Sequence, residues 1–309
     1  MNGIRHMDRS EIDAVRWDAA ISKSDTPFIY GLSWYLDIVT NESWDALILG
    51  DYKAVMPLPK FNKWFISHLY RPLFVQQLGV FASATTVYNT DEFVTAIPSK
   101  FKRIEYPFHF KSDVHGQDVQ ERTNLILPLK RTYEEIKLGY SKSLRKRLRK
   151  SEDLLTLKPT VDVDSLIQFY RQNVGEPKGM KEDVFIIGNK LFDEFINRSM
   201  AQIFEVEDEN GELVAMGLFV THFGRIINLF GASNAKGKQT NAMHFMLDKV
   251  IQTHGESSLI LDFEGSDIKG VKAFFESFGS KNEAYKMYSF SRFPKWLTAL
   301  VQRIKTSRD

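Results

Sequence analysis

Cysteine is absent from the 309 residues of the sequence. Its absence excludes disulfide bonds, thiolate nucleophiles and cysteine-based zinc sites, and it is compatible with a reducing compartment. The 7 histidines include no pair with the spacing of a metal-binding helix and no His-Glu-x-x-His motif, so we expect no metal site. No Gly-x-Ser-x-Gly motif is present to support a serine nucleophile.

Long apolar runs are missing as well. No run approaches the ~18–20 residues that a membrane span requires. Residues 1–18 are charged and lack the apolar core of a secretory signal. We therefore expect a soluble, cytoplasmic protein. The 41 basic and 39 acidic residues nearly balance, which argues against general coating of a nucleic acid, so we expect no DNA partner.

Short strands and amphipathic helices alternate along the chain. Residues 44–61 have the pattern of a hairpin, and residues 201–234 favour three strands joined by two turns. Helices are predicted over 8–22, 28–40 and 238–255, and a buried strand over 257–265. The pattern predicts a mixed α/β fold, and the length favours two domains.

One stretch, residues 139–155, concentrates positive charge. Leu144, Leu148 and Leu155 form one apolar stripe of a predicted helix with Ser141 as its N-cap. Six lysines and arginines between positions 142 and 150 fill the rest of the circumference. Such a face either binds a polyanion or is a solvated surface, and the sequence pattern alone does not decide between these two roles.

Three strings resemble the Fem-type branch of the GNAT acyltransferase superfamily. They are "YSKSLRKRLRKSED" (140–153), "GASNAKGKQTNAMHFMLDKVIQ" (231–252) and "LDFEGSDIKGVKAFFESFG" (261–279). The resemblance implies two GNAT-like domains in tandem, each a mixed, mainly antiparallel sheet flanked by helices. It places a degenerate N-terminal domain at residues 1–130 and a C-terminal domain with the acyl-donor site at residues 131–309.

The acyl donor is expected at the start of the helix predicted over 238–255. A helix N-terminus offers free N–H groups to a pyrophosphate, two lysines add charge, and a glycine lets the backbone approach a ligand closely. The alternative is a solvated loop with a capping residue. The candidate donor-binding residues are Lys236, Gly237, Lys238, Gln239, Thr240 and Asn241.

The predicted site also departs from the family pattern. Ala242 and His244 stand after Gln239 where the GNAT donor loop has glycine. Phe275 stands after Phe274 where Fem-type peptidyltransferases often carry the lysine thought to assist aminoacyl transfer. These departures weaken the aminoacyl-tRNA interpretation and leave open a fold whose donor site has been lost.

Two carboxylates near the end of the predicted strand 257–265 are candidate general bases. Strand alternation places Asp262 and Glu264 on one face, where burial or mutual repulsion would raise a pKa. The alternative roles are structural: Asp262 would cap a neighbouring loop, and Glu264 would face solvent at the end of the strand. Lys142 and Arg145, near the start of the basic helix, are the candidate substrate-binding cations.

From these observations we expect an N-acyltransferase that uses acetyl-CoA or another acyl-CoA as co-substrate, needs no metal, and acts on a small-molecule or peptide amine. The alternatives are a Fem-type transferase that takes an aminoacyl group from tRNA to a cell-wall precursor, and a non-catalytic binding protein. A C-terminal helix from Pro294, with Trp296 and Leu300 on its apolar side, either packs on its own domain or rests on a membrane surface.

Overall fold

The computed structural model describes residues 3–63, 66–265 and 267–293. Contacts divide the chain into a first unit, Met1–Arg122 with Tyr285–Asp309, and a second unit, Thr123–Ala284. The sequence analysis placed its boundary at residue 130 and gave the whole C-terminal part to the second domain. The strand Tyr285–Ser291 instead pairs with two strands of the first unit.

Among its described residues, the first unit contains one mixed sheet and three α-helices. Its helices are α1 (Ala14–Ser22), α2 (Ser33–Thr40) and α3 (Thr90–Ala96). The strand order is β1-β2-β3-β4-β6-β15-β7, with β5 also paired to β3. The strands are β1 (Ile4–Asp8), β2 (Trp44–Leu49), β3 (Ala54–Lys63), β4 (Ile66–Leu69), β5 (Phe81–Ala82), β6 (Phe101–Phe108), β7 (Val119–Arg122) and β15 (Tyr285–Ser291).

The second unit contains a sheet in the order β14-β8-β13-β12-β11-β10-β9. Its strands are β8 (Leu125–Pro128), β9 (Leu155–Thr160), β10 (Ala201–Asp208), β11 (Leu213–His222), β12 (Arg225–Ser233), β13 (Ile260–Asp262) and β14 (Lys281–Asn282). Its helices are α4 (Tyr133–Leu138), α5 (Lys142–Ser151), α6 (Val163–Tyr170), α7 (Glu182–Asn197), α8 (Ala235–Thr240), α9 (Ala242–His254) and α10 (Lys269–Glu276).

The predicted fold class is confirmed, because helices flank two mixed sheets. The three-stranded meander over 201–234 and the hairpin over 44–61 both form. In the second unit β12 and β13 run parallel, whereas the other strand pairs of that sheet are antiparallel. This one parallel pair becomes important for the site.

Three predicted helices were wrong in detail. The helix expected over 28–40 begins only at Ser33, after a 3-10 turn at Ile29–Gly31. The helix expected over 8–22 begins only at Ala14, capped by Asp13, because residues 4–8 pair with β2 as a strand. The helix expected over 238–255 is broken at Asn241, whose φ of 61° is left-handed and separates α8 from α9. The predicted C-terminal helix from Pro294 lies outside the described residues.

The basic helix predicted over residues 139–155 corresponds to α5, but α5 ends at Ser151, and Leu155, predicted to continue its apolar stripe, begins β9 instead. The Ser141 hydroxyl accepts the N–H of Leu144, as expected of an N-cap. Leu144 and Leu148 are buried in the core of the second unit, where α5 packs beside α9. Within the described residues, no helix is both long enough and apolar enough to cross a bilayer.

Candidate active site

A cleft opens in the second unit beside the part of β12 that extends beyond its pairing with β13. β12 and β13 pair only from Arg225 with Ile260 to Ile227 with Asp262. β13 ends there, whereas β12 continues to Ser233, so the two strands leave a gap. The cleft has a volume of about 560 Å³ and is lined from β12, α5, α6, α8, α9 and α10. This volume is within the ~300–1,000 Å³ of small-molecule sites.

A β-bulge interrupts β12 beside this cleft. Phe230 pairs with Leu218 and Asn228 pairs with Phe219, so Leu229 has no partner in the ladder with β11. A bulge leaves its extra residue outside the regular hydrogen bonding. The side-chain Oδ1 of Asn228 is buried and accepts no hydrogen bond from the described residues. Both residues line the cleft and can offer polar groups to a ligand.

The N-terminus of α9 faces the same cleft. Asn241, Met243 and His244, from the first turn of this 13-residue helix, line it. No described side chain caps the helix, so its first N–H groups and its positive dipole end suit an anion. Lys238 of α8 is exposed and also lines the cleft.

Lys236, Gln239 and Thr240, which were also predicted to bind the donor, do not line the cleft. Lys236 forms ion pairs with Asp208 and Glu212, which raise its pKa. The hydroxyl of Thr240 donates to the carbonyl of Lys236 at 3.0 Å. Gln239 is exposed and does not line the cleft. Of the six predicted residues, Gly237, Lys238 and Asn241 line it.

Gly237 is required by packing against β11. A Cβ at this position would lie 2.2 Å from the carbonyl oxygen of Val214. The Gly237 N–H donates to the side chain of Asn234, the N-cap of α8, at 2.8 Å. The glycine therefore seats α8 directly on the β11 backbone, which also fixes where α9 begins.

Arg147 brings the positive charge of α5 into the cleft. Its Nη1 lies 3.5 Å from Nε2 of His244, and both residues line the cleft. Burial, with a further contribution from the Arg147 charge, lowers the pKa of His244 to about 4. His244 is therefore neutral at pH 7. Lys142 and Arg145, predicted to bind substrate, do not line the cleft.

Aromatic and aliphatic side chains form the rest of the cleft wall. Tyr170 stacks on Phe230 with ring centroids 3.8 Å apart, and His244 meets Phe274 edge-on at 4.4 Å. Phe274 belongs to α10, a helix none of whose described residues is buried. Together with Phe275 it gives the cleft an apolar wall opposite β12.

Comparisons with known proteins identify the fold. No family model matches the sequence, and no curated protein matches it. FemX superposes with a TM-score of 0.64 at 15% identity, over 93% of this chain and 98% of FemX. The C-terminal domain of a putative lysylphosphatidylglycerol synthetase from Agrobacterium fabrum gives 0.59 at 12%, over 96% of each chain. The N-myristoyltransferase of Saccharomyces cerevisiae gives 0.51 at 9%, over 94% of this chain and 78% of the enzyme.

The chain has the Fem-type GNAT fold. The resemblance inferred from the three strings is therefore confirmed at the level of the fold. The string at 140–153 contains α5, the string at 231–252 covers the end of β12, α8 and most of α9, and the third string contains α10. All three contribute residues to the cleft or to the strand that borders it.

The two candidate bases, Asp262 and Glu264, lie outside the lining of the cleft. Asp262 is buried and accepts a hydrogen bond from Nη1 of Arg225 at 2.8 Å. Arg225 also donates to Glu283 at 2.7 Å. Burial raises the pKa of Asp262, and the Arg225 guanidinium opposes that rise. Oδ1 of Asp262 accepts the N–H of Glu264, whose φ of 54° is left-handed.

These contacts favour a structural role for Asp262, which holds Arg225 and the backbone after β13 in place. A buried carboxylate that accepts from a buried guanidinium and a backbone N–H has its lone pairs engaged. It sits at the point where β13 ends and therefore fixes where the two parallel strands separate. A catalytic role for Asp262 or Glu264 stays a prediction, and their geometry does not favour it.

Sequence reasoning missed three cleft residues of the Fem-type fold, which are Arg147, Asn228 and His244. Arg147 was included among the six cations of the predicted basic helix. Its contact with His244 of α9 could not be predicted from the helical period, which contains no information on long-range contacts. Asn228 is a polar residue in the strand "RIINLFGAS", which is a signal that could have been found. His244 was noted only as a departure from the glycine of the GNAT donor loop.

Proposed function

We propose that the chain is an acyltransferase that moves an acyl group from a pantetheine thioester, such as acetyl-CoA or another acyl-CoA, to an amine. The observation that carries the proposal is the cleft beside β12, which is lined by the N-terminus of α9, where no described side chain caps the helix, and by Arg147 and Lys238. This end supplies charge and N–H groups for a phosphate. The opposite walls are apolar, as a pantetheine arm and an acyl chain require.

The neighbouring structures support the same class of reaction. Saccharomyces cerevisiae N-myristoyltransferase was solved with bound myristoyl-CoA, and its fold overlaps nearly the whole of this chain. In our proposal the donor lies along β12 with its phosphate at α9. The thioester carbonyl then reaches the bulge at Leu229, where a backbone N–H outside the ladder can polarise it.

The proposed step is acyl transfer through a tetrahedral intermediate. The amine nitrogen attacks the thioester carbon, negative charge develops on the carbonyl oxygen, and the bulge N–H stabilises it. Collapse breaks the C–S bond, leaves a C–N bond and releases the pantetheine thiol. The amine loses one proton and the thiolate gains one, so the reaction is balanced without a metal or redox group.

The proton is proposed to pass through water and His244. Among the described residues that line the cleft there is no Asp or Glu, whereas His244 lines it and is neutral at pH 7. A base is most effective with a pKa near the working pH. Burial is the main cause of the low pKa of His244, and a donor phosphate next to Arg147 would offset only the smaller contribution that the Arg147 charge makes.

Ligand-dependent thermal stability tests the proposal. A donor present at 10 times its Kd stabilises the native state by about 1.4 kcal/mol, so acetyl-CoA or octanoyl-CoA should raise the Tm by several degrees. Arg147→Ala should remove most of this shift. Lys190→Ala, at an exposed position on α7 away from the cleft lining, should retain it. No shift with either donor at millimolar concentration would overturn the proposal.

A second candidate is transfer of an aminoacyl group from tRNA, which the resemblance to Fem-type peptidyltransferases implies. The observation in its favour is α5, whose six lysines and arginines form no ion pair with an acidic side chain of the described residues. A charged tRNA should then bind with an affinity that falls steeply as salt rises. Stabilisation by CoA thioesters without tRNA binding would favour the first candidate.

A further inference from the structure

We propose that the acyl donor is delivered by an acidic carrier protein on a phosphopantetheine arm, and that a row of lysines on α5 is the docking surface. This inference rests on the proposed function and names its donor. The row, called here the lysine row, consists of Lys142, Lys146 and Lys150. Arg147, on the same helix, links it to the cleft.

The spacing of the lysine row defines a straight docking edge. Its members recur every four residues, so they lie along one face of the helix over about 12 Å. All three are exposed in the structure. Leu144 and Leu148 lie on the opposite face and are buried, which fixes the row towards solvent. An acidic helix of a partner, with carboxylates at the same spacing, could lie along it.

The lysine row is not neutralised by the chain itself. Within residues 3–63, 66–265 and 267–293, no carboxylate forms an ion pair with any of its members. Glu152, just after α5, instead pairs with Lys249 of α9 at 3.7 Å. Three like charges one turn apart repel each other and destabilise an isolated helix. A negatively charged partner would relieve this repulsion.

The lysine row lies next to the phosphate end of the cleft. Lys150 follows Arg147 by three residues, which places it about 60° further round the helix from a residue that lines the cleft. Ser151 donates from its hydroxyl to the carbonyl of Thr240 at 2.6 Å, directly before α9 begins. The C-terminal end of α5 is therefore anchored at the proposed phosphate site.

The distribution of charge favours a small acidic protein over RNA. A protein that neutralises many phosphates spreads its cations over a long track and makes ~6–10 such contacts. Here six cations without an ion-pair partner among the described residues lie on one helix of 10 residues, which is about 15 Å long. The chain as a whole has a net charge of only +2. Inside the cleft, Arg147, Lys238 and the α9 N-terminus suffice for one phosphodiester.

Fluorescence anisotropy with a labelled type II acyl carrier protein tests the inference. The holo form carries the arm and the apo form lacks it. We expect the holo form to bind at least fivefold more tightly than the apo form, since the arm enters the cleft. The variant Lys146→Glu/Lys150→Glu should weaken holo binding at least tenfold, and rising salt should weaken it in the wild type. Lys190→Glu, the same charge change on α7, should alter it less than twofold.

The outcomes separate this inference from the proposed function. If octanoyl-CoA stabilises the protein but the holo carrier does not bind, or binds equally to the lysine-row variant, the carrier-protein inference is wrong and the acyltransferase proposal stands. If neither octanoyl-CoA nor the holo carrier binds, both fail. If a tRNA transcript displaces the carrier and depends more strongly on the lysine row, the row is an RNA surface. Thermal melts of each variant should match the wild type, because these lysines are exposed.

Discussion

Replacement of Asp262 by Asn should lower stability while leaving acyl transfer in place. The carboxylate is 1% exposed and accepts from Arg225 at 2.8 Å. Removing one charge of a buried pair costs about 3–5 kcal/mol, because the other charge is left without its partner. Arg225 keeps Glu283 at 2.7 Å, so we expect the lower end, about 3 kcal/mol.

This loss corresponds to a measurable fall in Tm. For a domain of the size of Thr123–Ala284, 1 kcal/mol shifts Tm by about 2–4 °C, so the second unit should melt about 6–12 °C lower. Differential scanning calorimetry measures it. Asp153→Asn, an exposed carboxylate of the same unit, is the control and should change stability by less than about 0.5 kcal/mol.

Activity decides between a structural and a catalytic Asp262. Release of free CoA can be followed with a thiol reagent, since the protein has no cysteine to react. Well below its Tm, Asp262→Asn should keep a rate within a few fold of the wild type. A rate at least 100-fold lower with an unchanged Tm would refute this reasoning and restore Asp262 as the general base.

Three further predictions concern the cleft. The pKa of His244 is about 4 in the folded protein against about 6.5 unfolded, so stability should fall as pH falls from 6.5 towards 4. Urea unfolding at pH 7 and pH 5 should show the wild type losing about 2 kcal/mol more than His244→Gln, and equal losses would contradict this. Gly237→Ala should cost about 1–3 kcal/mol in the same assay, because the new Cβ meets the Val214 carbonyl. Asn228→Ala should leave the Tm unchanged or raise it, because the substitution removes a buried acceptor that has no partner among the described residues. The same variant should bind octanoyl-CoA about tenfold more weakly by calorimetry. A lower Tm with unchanged binding would show that the role of Asn228 is structural.

The elements of this chain were predictable where local chemistry decides them. The three strands from Ala201 to Ser233 follow from their turn residues, and α5 follows from its N-cap Ser141 and its leucine period. The break at Asn241 was not predictable, because its left-handed conformation depends on how α8 packs on β11.

The cleft was predictable only in part. The resemblance located the loop that contains Gly237, Lys238 and Asn241, and these residues do line it. Arg147 lines the cleft and Lys142 does not, because only some turns of α5 lie beside the cleft. The helical period of a sequence shows which residues share a face of the helix, but it does not show which other element that face contacts. Likewise, the engagement of Asp262 by Arg225 joins residues 37 positions apart. No local pattern contains such a pairing.

The position of β15 in the sequence determines when the sheet of the first unit can be completed during synthesis. β15 pairs with both β6 and β7 of the first unit, yet it is translated after the whole second unit. At ~5–20 residues per second the ribosome needs on the order of 10–30 s to travel from β6 to β15. During this interval one edge of β6 lacks its strand, and an unpaired edge invites pairing with other chains. Among the described residues, β15 is therefore the last strand to be made, and it joins β7 to the rest of the sheet of the first unit.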